Sequence, residues 1–156
     1  MARVLIVGCG CRGQELARAL AAEGHAVRGT TRHRGRFDAI AAAGAEPVLA
    51  DPDRVGTLVS SLDAVAIVVW LLGRATGTPE ALAALHGERL RAFFESVVDT
   101  TVRGVVLEPA GEDSEAIAQA AARTWSIPIA VVGESAQEAV RALLDSAEWR
   151  TTRRTS

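Results

Sequence analysis

The chain contains no lysine, no tyrosine and no asparagine. Arginine therefore supplies every permanent side-chain cation, and mechanisms that need a lysine amine or a tyrosine hydroxyl are excluded. Cysteine is scarce too: the two present, Cys9 and Cys11, stand one residue apart. That spacing on a tight turn suits no unstrained disulfide, and no nearby His or Cys completes a zinc set. No metal cluster, nucleophile triad or pair of carboxylates emerges. No apolar run approaches the length of a membrane span, and no basic leader with an apolar core precedes the first glycines. A cytoplasmic location is therefore expected, with no membrane partner. The formal net charge of −2 gives no reason to expect nucleic acid.

What is present is enough for a core. The chain has 156 residues, 49% of them hydrophobic, which fits one domain. Residues 1–150 are read as that domain and 151–156 as a flexible tail. Short apolar runs at 4–7, 25–31, 46–50, 64–70, 102–108 and 127–132 alternate with helical stretches. These are 14–23, 37–43, a helix capped by Asp53 and running to 61, 80–100, 113–125, and one opening on the capping box Ser135–Glu138 and ending near Trp149. Strand–helix alternation of this kind indicates an α/β fold: a three-layer, doubly wound, parallel six-stranded sheet of order 3-2-1-4-5-6.

The densest signal lies at the start. The run Arg3–Val7 is apolar beyond its first residue and leads directly into Gly8-Cys9-Gly10-Cys11-Arg12-Gly13 and an alanine-rich helix. Strand, G-x-G-x-x-G and helix in that order form a dinucleotide-binding turn. Gly8 permits the tight turn, Gly10 lets a pyrophosphate approach, and Gly13 lets helix and strand pack closely. At the end of the second strand an NAD site places an acid against the ribose 2′-hydroxyl. None occurs between Glu23 and Asp38; Thr31, Arg32, His33, Arg34 and Arg36 stand there instead. Planar bidentate donors suit a 2′-phosphate, so NADP is the expected cofactor and NAD the alternative. Arg32, nearest the strand end, is the first candidate, with Arg12, Arg34 and Arg36 behind it. Asp51, ending strand three, is a candidate for the adenine amino group or a turn residue.

Taken together, Gly8-x-Gly10-x-x-Gly13, Val27-x-Gly29-Thr30-Thr31-Arg32 and Ala50-Asp51-Pro52 resemble the N-terminal NAD(P)-binding half of atypical and extended short-chain dehydrogenase/reductases. The epimerase/dehydratase-like members are nearest in style, and the likeness covers residues 1–73. It implies pyrophosphate on Gly8 to Gly13, 2′-phosphate near Arg32 and adenine beside Asp51. It also implies that Trp70-Leu71-Leu72 lies towards the nicotinamide. Two departures stand out. Most such enzymes space their glycines as G-x-x-G-x-x-G, and their Tyr-x-x-x-Lys pair has no counterpart here. The substrate-holding C-terminal lobe is also expected to be lacking.

Hydride transfer belongs to the cofactor, so a small oxidoreductase without Tyr and Lys is one reading. The other is a non-catalytic dinucleotide-binding module acting as redox sensor, regulator or interaction partner. Candidate chemistry should lie at the carboxyl ends of strands, around 70–73, 108–111 and 133–135. Glu108 is the candidate acid or base, or else a carboxylate facing water. His86 is expected to face solvent or a helix neighbour, and Glu134 and Ser135 to serve the helix end. Trp70, Phe93 and Phe94 are expected in the core, with an apolar seam on the long helix for a homodimer as the alternative.

Overall fold

The structure, a computed structural model, describes residues 2–132 and 135–155, the side chains of residues 111, 112 and 147–155 excepted. Six strands form one sheet: β1 (Arg3–Val7), β2 (Ala26–Thr31), β3 (Ala45–Leu49), β4 (Ile67–Trp70), β5 (Gly104–Leu107) and β6 (Ile129–Val131). Their order is β3-β2-β1-β4-β5-β6 and every pairing is parallel. This is the Rossmann arrangement anticipated from the alternation of apolar runs. Val4 is paired with Val27 on one side and Ile67 on the other, which places β1 at the centre.

Helices cover both faces, and the two-residue period of the strands divides the core between them. Leu5, Val7, Val68, Trp70, Val105 and Leu107 point to one face. There they meet α3 (Val55–Val59), α5 (Leu90–Val97) and α6 (Gly111–Trp125). Their neighbours Val4, Ile6, Ile67, Val69 and Val106 point to the other, onto α1 (Cys11–Ala22), α2 (Phe37–Ala42) and α7 (Ala136–Thr155). Strands buried on both faces explain why β1, β4 and β5 read as unbroken apolar runs.

The long helix expected over 80–100 is divided. It begins as α4 (Pro79–Ala84), where Thr78 Oγ1 accepts from the Ala81 N–H at 3.1 Å and Pro79 occupies the first turn. A single π turn, Leu85–Arg89, follows before α5 resumes regular winding. Phe93 and Phe94 then lie fully buried, with Phe93 5.0 Å from the Trp70 ring. The core reading of all three aromatics is the one observed.

Two helix starts differ from expectation. Asp53 does not cap α3: its N–H donates to Asp51 Oδ1 at 2.9 Å, and Arg54 precedes the helix without a side-chain bond. Two adjacent acids in a Pro-interrupted segment prefer a local Asx turn to a helix cap. α1 starts at Cys11, three residues early, because glycine-turn residues 11–13 already wind helically. At α7, Ser135 Oγ accepts from the Glu138 N–H at 3.3 Å as the capping box requires, and the helix runs on to Thr155, past its expected end. Gly133 and Glu134 lie outside the described residues. Among those described, no helix is long and apolar enough to cross a membrane.

Candidate functional site

The glycine turn is clamped from β2. Gly8 adopts φ +88°, and a Cβ there would fall 2.6 Å from Leu72 Cδ2 and 3.0 Å from the Leu71 carbonyl oxygen. Only glycine meets both demands. The Gly8 N–H donates to Thr30 Oγ1 at 3.1 Å and the Cys9 N–H to the Thr30 carbonyl at 2.9 Å. Buried Thr30 thus fixes the turn with side chain and backbone together. The sequence reading singled out its neighbour Thr31; the alternation of strand faces was the available signal for Thr30.

Cys9 packs inward. A Cβ on Gly29 would lie 2.6 Å from its sulfur, so the thiol occupies the gap that Gly29 leaves in β2. Burial pushes its pKa up to about 11, which makes it an inert packing group. A Cβ on Gly13 would stand 3.2 Å from the Gly8 carbonyl oxygen and 3.3 Å from Ile6 Cγ2, so α1 can lie close on β1 only with glycine there. Gly10 differs: the sole neighbour within 4 Å of a Cβ would be Arg36 Nη1, at 3.8 Å. Its missing side chain opens onto a cleft.

That cleft encloses about 390 Å³ at the carboxyl edge of the sheet. Gly8 to Gly13 form one wall, and Thr30, Thr31, Arg32, His33 and Arg36 another. α1 presents its N-terminus with no side-chain cap and no acidic residue in its first turn. Its first N–H groups and the positive end of its dipole are therefore left for an anion. The residues present fit a pyrophosphate at this point.

Several candidate residues lie elsewhere than expected. Arg34 is not on the cleft; Arg36 is, because residues 34–36 form a 3₁₀ turn that redirects the arginines. Asp51 does not line the cleft, its carboxylate being occupied by the Asp53 N–H. Asp53 lines it instead, 3.9 Å from Arg32 Nη1 and 3.5 Å from Arg89 Nε. Trp70 is fully buried, and the next two residues, Leu71 and Leu72, face the cleft in its place. Cys11 is exposed on it.

Glu108, the residue after β5, is gripped rather than free. Arg12 binds it with both guanidinium nitrogens, Nη2 to Oε1 at 2.7 Å and Nη1 to Oε2. These bonds hold its carboxyl below the usual carboxylate range against the opposing effect of burial, and the Gly73 N–H and the Arg74 charge add to them. A carboxylate so held carries no proton to give near neutral pH, so the expectation of an acid at Glu108 is corrected. His86, on the π turn, is half-buried rather than solvent-facing; desolvation lowers its pKa, partly countered by Glu108.

The turn, its placement and the sheet order together describe a dinucleotide fold, and comparison agrees. Residues 3–84, from β1 to α4 and just over half the chain, match the NAD binding domain of 6-phosphogluconate dehydrogenase. The chain belongs to that family. It is an NAD-binding Rossmann domain whose solved neighbours are of the epimerase and short-chain reductase type. UDP-glucose 4-epimerase from Thermotoga maritima superposes with a TM-score of 0.70 at 13% identity, over 83% of this chain and 54% of that one. A short-chain dehydrogenase/reductase superfamily protein from Agrobacterium tumefaciens, with bound NAD, gives 0.67 at 16% identity, over 83% and 48%. UDP-glucuronic acid 4-epimerase from Bacillus cereus in complex with NAD gives 0.65 at 12%, over 83% and 55%. The chain thus spans about half the length of these proteins, and at such identities the likeness is one of fold. No curated protein matches the sequence.

Proposed function

We propose that the chain binds NADP(H) in this cleft, as a small cytoplasmic oxidoreductase domain of the short-chain reductase type. The observation that carries the preference is the cationic wall after β2. Arg32, His33 and Arg36 all line the cleft there. The one acid that reaches them is Asp53, which approaches Arg32 and Arg89 only at 3.9 and 3.5 Å. A 2′-phosphate offers Arg32 a closer, more highly charged partner than this exposed carboxylate. The pyrophosphate takes the N-terminus of α1, and Gly10 gives it room.

A non-catalytic sensor or regulatory module is the second reading. Its support is the Arg12–Glu108 pair, which occupies the acid nearest the nicotinamide side. The groove between α5 and α6, lined by Phe94, Ile117, Ala120 and Trp125 among others, is where a homodimer would form; light scattering of the purified chain reads its mass directly.

Calorimetric titration with NADPH and NADH tests the main claim. NADPH binds about tenfold more tightly, the difference one good charged contact makes, and Arg32→Asp erases or reverses that order. Equal affinities in the wild type would remove the case for NADP.

A further inference from the structure

Among the described residues, the cleft takes its walls from the ends of β1 to β4 and from Leu85, and none from the end of β5. In a doubly wound sheet a dinucleotide lies across the point where strand order reverses, with one nucleotide in each half. That point falls between β1 and β4. The adenosine half therefore has its place over β1, β2 and β3, whereas the nicotinamide half needs the ends of β4 and β5.

An ion pair of the protein itself stands in that second place. Arg12 comes from the first turn of α1 and Glu108 from the end of β5, 96 residues apart in sequence. Glu108 is seated on β4 as well. Its N–H donates to the Trp70 carbonyl at 3.0 Å, and a Cβ on Gly73 would fall 2.5 Å from its Cγ. The two side chains are 36% and 12% exposed, a setting in which bidentate geometry outweighs that of an ordinary surface pair.

We propose that Arg12 and Glu108 set the ligand class of the cleft by sealing its nicotinamide end, so that the chain recognises the phosphorylated ADP-ribose portion of a dinucleotide and is indifferent to the base beyond it. This rests on the cleft being a dinucleotide site. Oxidised and reduced cofactor then bind alike, and the base-free fragment binds as well as either.

The test is calorimetry on the full chain with NADPH, NADP⁺ and 2′-phospho-ADP-ribose, and in parallel with NADH and ADP-ribose. Within each set the wild type binds all ligands within about threefold. Glu108→Gln, which keeps the side-chain shape and releases Arg12, favours dinucleotide over its base-free fragment by about tenfold. Arg12→Met breaks the pair from the other side and gives the same change of ratio should the first variant fold poorly. A wild type that holds NADPH more than about tenfold over 2′-phospho-ADP-ribose overturns the seal while leaving the cofactor reading intact. An unchanged ratio in both variants does the same. Failure of every ligand to bind overturns both.

Discussion

Gly10 and Gly73 stand at the same edge of the sheet and lack a side chain for opposite reasons. A Cβ at Gly10 would meet nothing closer than Arg36 Nη1 at 3.8 Å, whereas one at Gly73 would strike Glu108 at 2.5 Å. The first glycine clears space for something from outside the chain. The second clears space for the chain's own carboxylate. One end of the cleft is therefore built to be filled and the other is already occupied, which identical residue types in the sequence do not reveal.

The contrast breaks most readily at Gly10. Gly10→Val places a branched side chain where the pyrophosphate belongs, so dinucleotide affinity falls about 100-fold or more, roughly 2.8 kcal/mol. Its thermal unfolding midpoint stays near that of the wild type, because no protein atom is displaced. Retained affinity in the folded variant would refute the turn's assignment. Gly73→Ala gives the reverse pattern. Overpacking against Glu108 costs about 1–3 kcal/mol, seen calorimetrically as a midpoint lower by several degrees; an unchanged midpoint means that Glu108 is not held as described.

A smaller effect follows from pH. Glu108 has its carboxyl pKa lowered, chiefly by the Arg12 hydrogen bonds, so its contribution is fully present above the unfolded-state value and disappears as pH falls through the folded one. Glu108→Gln never has that contribution. Wild type and variant therefore differ in stability at neutral pH and converge below the ordinary carboxylate value of 4.5. Parallel curves down to strong acid would contradict the ion pair. Smallest of all is the difference between the cysteines: under native conditions iodoacetamide labels exposed Cys11 and spares Cys9. Mass spectrometry reads the ratio, and equal labelling would place Cys9 outside the core.

Much of this was legible before any coordinates. The strands, their order and the phosphate turn follow from apolar period, glycine spacing and the connection rules of α/β folds, all of which are local or topological. Thr31 and Arg32 were also found on the cleft. What escaped depends on direction rather than position. Arg36 replaces Arg34 because of one 3₁₀ turn, Leu71 and Leu72 replace Trp70 because of strand alternation, and Asp53 replaces Asp51 because an Asx turn occupies the latter. The Arg12–Glu108 pair joins two segments that only the closed sheet brings together. No spacing rule reaches across that distance.

The π turn at Leu85–Arg89 has a consequence for how this chain tolerates shortening. A π turn holds one more residue than the α turn it replaces, and each residue of an α-helix advances about 100° around the axis. Deleting a single amino acid anywhere in that span lets ordinary winding return and swings everything downstream by that angle. Phe93 and Phe94 would then rotate off Trp70, so a one-codon loss on a surface-facing helix would hollow out the protein's largest aromatic cluster.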